Sequence, residues 1–246
     1  GIGMRKDQFF LEKNLGFDHA KELWKLGLEA VDLSKELISR FNISCNLKNG
    51  VISACYHENE NNDFLFEIDH MNQKYNFDGY SYLNKNKIRD EIKTNLYTSG
   101  ILNTYSYHIN PLKFLIGLAD QLKALNVKVF ENTPITKIIN DKNGIKLFSE
   151  SKMIKANKVI VGCNGYLDKL LGNVRNKFMP INNYIIATEP LGEDKAKEII
   201  KNNYAVSDTR FIIDYYRFSE DWRMIFGGGE TYTSKFLNES KNFVRK

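Results

Sequence analysis

The run Lys158-Val159-Ile160-Val161-Gly162-Cys163 decides the fold class of this chain. It is nearly all β-branched before it meets a glycine, the pattern of a strand buried on both faces of a parallel sheet. Upstream, 127–130, 135–139 and 145–148 are further short β-prone runs, with an Asp141-Lys142-Asn143-Gly144 turn before the last. Ahead of them Asn110 is a good N-cap and Pro111 suits the first helical position, so Leu112, Leu115, Leu118, Leu122 and Leu125 predict a helix that ends near Asn126. Helix followed by strand, with a buried parallel strand at the end, is an α/β layer.

Toward the N-terminus, Ala20, Leu23, Trp24, Ala30, Val31, Ile38 and Phe41 form the stripe of a long helix that Asp18 is placed to cap. The segment 50–56 is β-prone, 61–76 reads as helix, and 85–95 as a short polar helix. Beyond Pro180 the character changes: 184–188 is β-prone, 194–202 helical, and two aromatic strands at 211–218 and 223–226 flank Ser219-Glu220-Asp221-Trp222 as a hairpin.

The chain has 246 residues, about one and a half domains at roughly 150 residues each. Its 42% hydrophobic and 26% charged residues are those of a folded protein and exclude disorder. Three cysteines, Cys45, Cys55 and Cys163, form no C-x-x-C pair and read as free thiols. The formal charge of +5 is scattered, which gives nucleic-acid binding no support. No window has the apolar length of a membrane span and the first ten residues lack a signal-peptide core, so a cytoplasmic location is the expectation. Gly1 is either a processed end or the edge of a longer chain.

His19, His57, His70 and His108 have no second ligand at helical or hairpin spacing, so no metal site is expected. His108, beside Asn110-Pro111, is either a base or a polar residue at a strand end. No G-x-S-x-G elbow or P-loop occurs. Gly162-Cys163-Asn164-Gly165 is either a tight turn or a place where backbone N–H groups meet a cofactor. Gly227-Gly228-Gly229 means a sharp turn or close approach of the backbone to something. Alternation puts Ile213, Tyr215 and Arg217 on one strand face and Asp214, Tyr216 and Phe218 on the other, so Tyr215 and Arg217 either hold a small ligand or form a half-exposed polar face.

In order along the chain, His108-Ile109-Asn110-Pro111-Leu112, Glu131-Asn132-Thr133-Pro134-Ile135, Lys158 to Gly165, Met179-Pro180-Ile181-Asn182-Asn183, Ala187-Thr188-Glu189-Pro190-Leu191, Asp208-Thr209-Arg210-Phe211 and Phe226-Gly227-Gly228-Gly229-Glu230 resemble the D-amino-acid-oxidase type of FAD-dependent oxidoreductases. The branch that oxidises gamma-glutamylputrescine is the most similar. The family's G-x-G-x-x-G unit and its C-terminal glycine-rich segment are missing, so the chain resembles the middle of a longer flavoenzyme.

The resemblance implies an α/β (α+β) fold: part of a Rossmann-like domain of the FAD/NAD(P)-binding type at 1–49 and 110–172, and part of an antiparallel-sheet substrate domain at 50–109 and 180–246. It implies FAD near Gly1, Gly3, Ile135, Cys163, Asn164, Gly165, Gly227, Gly228, Gly229 and Glu230, with no covalent flavin link. Arg5, Tyr215 and Arg217 are its candidate catalytic residues, and the implied partner is a small-molecule amine, as in putrescine catabolism. Sarcosine, glycine or a D-amino acid is the alternative substrate. A binding protein that has lost its cofactor is the alternative of another class.

Overall fold

The computed structural model describes residues 2–142, 144–167, 170–175, 177–179 and 181–231. They divide into two compact units, one holding the chain up to Gln121 together with Asn183–Gly229, the other Leu122–Asn182. Gly1 and Pro180 lie outside the described residues.

The first unit opens with α1 (Gln8–Leu15) and α2 (Phe17–Arg40). α1 is capped by Asp7, whose side chain accepts from the Phe10 N–H at 2.8 Å. Gly16, at φ 82°, is the N-cap of α2, so Asp18 sits inside the first turn and is not the cap. Glycine takes this positive φ without strain, which lets the chain turn directly from one helix into the next. The α2 stripe buries Ala20, Trp24, Gly27 and Val31, while Ala30 is exposed.

After β1 (Lys48–Cys55) comes α3 (Asn61–Tyr75), which stops at Asn76 in the left-handed conformation. Asparagine ends helices this way because its short polar side chain tolerates that region. Trp24 packs edge-on against Phe77 at 5.2 Å and Tyr75 at 5.9 Å. Gln8 fastens α1 to this cluster by donating to Ala20 O and Tyr75 Oη, both at 3.0 Å.

Next follow β2 (Tyr80–Leu83), α4 (Lys85–Glu91), β3 (Ser99–His108) and α5 (Pro111–Ala124). Asn110 Oδ1 accepts from the Lys113 N–H at 3.1 Å, as a capping asparagine should. Replacing Asn110 by alanine is expected to cost about 1 kcal/mol, read as a lower urea midpoint with an unchanged slope. Leu112 and Leu115 are each 63% exposed and Leu125 70%, so periodicity set the helix, but of its apolar stripe Leu118 is half-buried and these three leucines face water among the described residues.

The second unit carries β4 (Lys137–Asp141), β5 (Gly144–Phe148) and β6 (Met153–Ala156), an antiparallel meander, and a short α6 (Gly172–Arg175). The expected strands at 127–130 and 158–163 do not form, and Ile160 is 97% exposed. An apolar β-branched run marks a wish for burial, but a strand exists only where a neighbour completes its hydrogen bonds. Neither run has such a neighbour among the described residues.

The chain then returns to the first unit with β7 (Asn182–Ala187), α7 (Glu193–Ile199), β8 (Ala205–Asp208), β9 (Tyr215–Phe218) and β10 (Met224–Thr231). Its sheet has seven strands in the order β2-β3-β1-β8-β9-β10-β7. β1 pairs in parallel with β8, and β2–β3, β1–β3, β8–β9 and β9–β10 are antiparallel. The fold is therefore mixed α/β with one large mixed sheet.

One sheet face is dry. Ile52, Val206 and Phe218 meet Ile88 of α4 and Ile200 just beyond α7, each 0–2% exposed. Each such side chain contributes roughly 1.5–3 kcal/mol by leaving water. No described helix is long and apolar enough to cross a membrane.

Candidate active site

Strand register builds a row across the sheet. Ser53 of β1 lies opposite Ser207 of β8, Ser207 opposite Tyr215 of β9, and Tyr215 opposite Gly227 of β10. Residues directly opposite share a face, so Ser53, Ser207, Tyr215 and Gly227 line up on the side away from the dry core. Ser53 is exposed although β1 is the third strand from the nearer edge, so this face is open there.

The glycine run is a strand and not a turn. Its value is space: a Cβ at Gly227 would collide with the Tyr215 ring, and one at Gly228 with Asp214 Oδ1. The backbone's close neighbours are thus the chain's own side chains, on opposite faces. Tyr215 donates to Asn183 Oδ1 of β7, which fixes the phenol. Gly227→Ala is expected to displace the ring and destabilise the fold by roughly 1–3 kcal/mol, the usual cost of overpacking. A chemical shift of the Tyr215 ring unchanged from the parent would contradict that.

Arg217 shares the open face, and its guanidinium donates to Phe218 O at 3.3 Å. Burial lowers its pKa below the usual arginine value. A cavity of about 370 Å³ lies alongside, lined by Tyr215, Arg217, Ile225, Ile185, Asn110 and Pro111. His108 is nine-tenths buried and bonds Asn203 O through Nε2 at 2.9 Å. Burial, helped by Arg217 and Lys48, pushes its pKa down against the pull of that bond.

On the opposite face an ionic clasp, which sequence reading missed, closes the loop between β8 and β9. Asp208, with no side-chain exposure, accepts from Arg210 Nε at 2.6 Å, Asp214 N at 3.0 Å and Arg210 N at 3.2 Å. Arg210 also pairs with Asp214 and lies over the Tyr56 ring, 4.9 Å from its centroid. Burial raises the Asp214 pKa, opposed by the charge of Arg210. The clasp shortens the expected strand at 211–218 to Tyr215–Phe218 by folding 209–213 into a loop. The usable signal was an arginine with aspartates two residues before and four after.

Arg5 and Gly3 line a cavity of about 160 Å³ with Trp24, Glu67, Met71 and Tyr80. In the second unit Asn164 and Gly165 form a short 3₁₀ turn beside a cavity of about 580 Å³ that Tyr166 and Phe178 also line. Cys163 is exposed, and Ile135 is half-buried just before β4. Gly229 and Glu230 continue β10. The candidate Gly1 lies outside the described residues. No three His, Cys, Asp or Glu side chains among the described residues gather as a metal site.

Residues 8–244 match the model of the FAD dependent oxidoreductase family. The chain belongs to that family. It is 30% identical to gamma-glutamylputrescine oxidoreductase of Escherichia coli over 245 residues, 97% of this chain and 56% of that protein. It is 28% identical to the probable oxidoreductase OrdL of Haemophilus influenzae over 219 residues, 87% of this chain and 51% of that protein. The chain thus spans about half the length of these curated relatives. In fold it resembles glycine oxidase from Geobacillus kaustophilus, with a TM-score of 0.69 at 15% identity over 90% of this chain and 60% of that one. L-proline dehydrogenase from P. horikoshii gives 0.69 at 18% identity over 100% and 63%.

FAD is the cofactor of this family, and the described residues suit one part of it. Ser53 and Ser207, beside the Tyr215 phenol that lies over Gly227, leave a stretch on which a planar ring can rest, since no bulky aliphatic side chain stands in that row. The pyrophosphate is not suited. No described helix is entered from a strand through a G-x-G-x-x-G turn, the arrangement that aims N–H groups and a helix dipole at phosphate.

Proposed function

We propose that the open sheet face bearing Tyr215, Arg217 and Gly227 is the substrate side of an FAD-dependent amine oxidoreductase, acting on an amine of the gamma-glutamylputrescine type. The observation that carries this reading is the row Ser53-Ser207-Tyr215-Gly227, in which one oriented phenol lies over a glycine and beside two small residues, the row opening to solvent at Ser53. The likeness to the E. coli gamma-glutamylputrescine oxidoreductase supports the substrate class.

Bound FAD would supply the hydride-accepting chemistry for the carbon next to nitrogen. The residues of this chain orient and desolvate. Tyr215, held by Asn183, offers its phenol oxygen as a fixed polar contact at the face. The half-buried guanidinium of Arg217 disfavours a second positive charge nearby, so the amine sheds its proton more readily. Ile225 and Ile185 form the apolar wall that limits water.

Arg217 also supports a second substrate class, because a guanidinium whose hydrogen bond among the described residues goes to a main-chain carbonyl can clamp a carboxylate beside the reacting carbon. The test is Arg217→Gln in the complete reading frame that carries this sequence, assayed with gamma-glutamylputrescine, sarcosine and glycine. Amine oxidation of the first kind predicts a KM for gamma-glutamylputrescine changed less than about threefold. A KM for sarcosine or glycine raised about 100-fold, the cost of roughly 2.7 kcal/mol of charge-assisted bonding, assigns the amino-acid class instead.

A further inference from the structure

We infer that the lysine face of the β4–β5–β6 meander is a docking surface for a single strand of nucleic acid, held through its phosphates. The inference concerns the second unit and stands apart from the proposed reaction.

Basic charge is scattered along the sequence but not between the units. Residues 122–182 carry 11 Lys and Arg against 4 Asp and Glu, whereas the rest of the chain carries 24 against 26. The whole positive excess of the protein therefore belongs to these residues.

Strand register decides where that charge points. Lys146 of β5 lies directly opposite Lys155 of β6 and Ile139 of β4, and Lys137 stands two residues before Ile139, so one face gathers a lysine from each strand. The other face of the three strands, with Ile138, Ile145, Leu147 and Ile154, has no charge. The acids of the meander are Asp141, which pairs with Lys146 at 2.8 Å, and Glu150 in the turn before β6. Lys137 and Lys155 are exposed, and among the described residues neither has a carboxylate partner. Like charges directly opposite one another weaken a strand pair. Lys146 and Lys155 make such a pair, and an anion lying across both strands turns that cost into attraction.

The uncharged residues of the same face select the kind of anion. Phe148 stands opposite both Lys137 and Met153, half-buried among the lysines. A ring in a basic field gives a base a surface to stack on while ammonium groups meet phosphates, and lysine does this without reading sequence. A carboxylate-rich peptide leaves the ring unused.

The test follows the fluorescence anisotropy of labelled oligothymidylate titrated with the product of the complete reading frame. Saturable binding is expected, its logarithm falling against the logarithm of salt with a slope of about −2, as three phosphate contacts on a single strand require. Lys137→Gln, Lys146→Gln and Lys155→Gln combined are expected to weaken binding roughly tenfold or more and to flatten that slope. Phe148→Leu should cost about tenfold with the slope unchanged. Lys155→Gln alone, which breaks no ion pair among the described residues, serves if the triple variant fails to fold; about a threefold loss is expected there. Equal binding of oligoglutamate or of phosphatidylserine vesicles, a salt slope near zero, or unchanged affinity in the folded variants overturns the inference.

Discussion

Purified by itself and mixed with FAD, the 246-residue chain is expected to emerge colourless from gel filtration and to oxidise no amine. The described residues offer FAD a flat face for its ring but no helix entered through a glycine-rich turn for its pyrophosphate. That part of the cofactor carries its charge, and each missing charge-assisted hydrogen bond removes about 1.5–3 kcal/mol. Two or three such losses weaken binding by roughly two to six orders of magnitude. The exposed stripe of α5 and the exposed Ile160 add a further expectation, self-association that grows with protein concentration. A visible spectrum with stoichiometric flavin would show that phosphate is held by some other means.

Arg210→Met is expected to be the most damaging single change in the first unit, at about 3–5 kcal/mol. It leaves Asp208 charged, fully buried and short of its cation. Combining it with Asp208→Asn should recover a large part of the loss, because the second change removes the charge that the first strands. Urea denaturation of the single and double variants measures this directly. A single-variant loss below about 1 kcal/mol, or strict additivity in the double, contradicts the clasp as a buried ion pair.

The local rules carried far in this chain. Asn110-Pro111 capped a helix where the pattern put one, and the 61–76 stripe became α3 to within a residue. The hairpin around 219–222 formed because Trp222 takes a positive φ and Ser219 bonds back to Arg223 O. Such features depend on neighbours within a few residues. The run at 158–163 failed for the converse reason, since its strand state depends on hydrogen-bond partners that no local pattern contains.

The site was legible in one dimension only. Alternation placed Tyr215 and Arg217 on a common face and Tyr216 on the other, as the register with Ser207 and Val206 shows. It could not show that Ser53, more than 150 residues earlier, stands in the same row, nor that Gly227 makes room for Tyr215. The clasp was hidden because Asp208-Thr209-Arg210 reads as an ordinary polar turn until Asp208 is found to be buried.

The most direct test is anaerobic mixing of gamma-glutamylputrescine with the flavin-loaded product of the complete reading frame, followed by its visible absorbance. Loss of the oxidised-flavin band is expected, slowed at least tenfold by Tyr215→Phe with the folded spectrum retained. A band that persists with every amine and amino acid offered, or bleaching that Tyr215→Phe and Arg217→Gln both leave unchanged, would contradict the assignment of this sheet face.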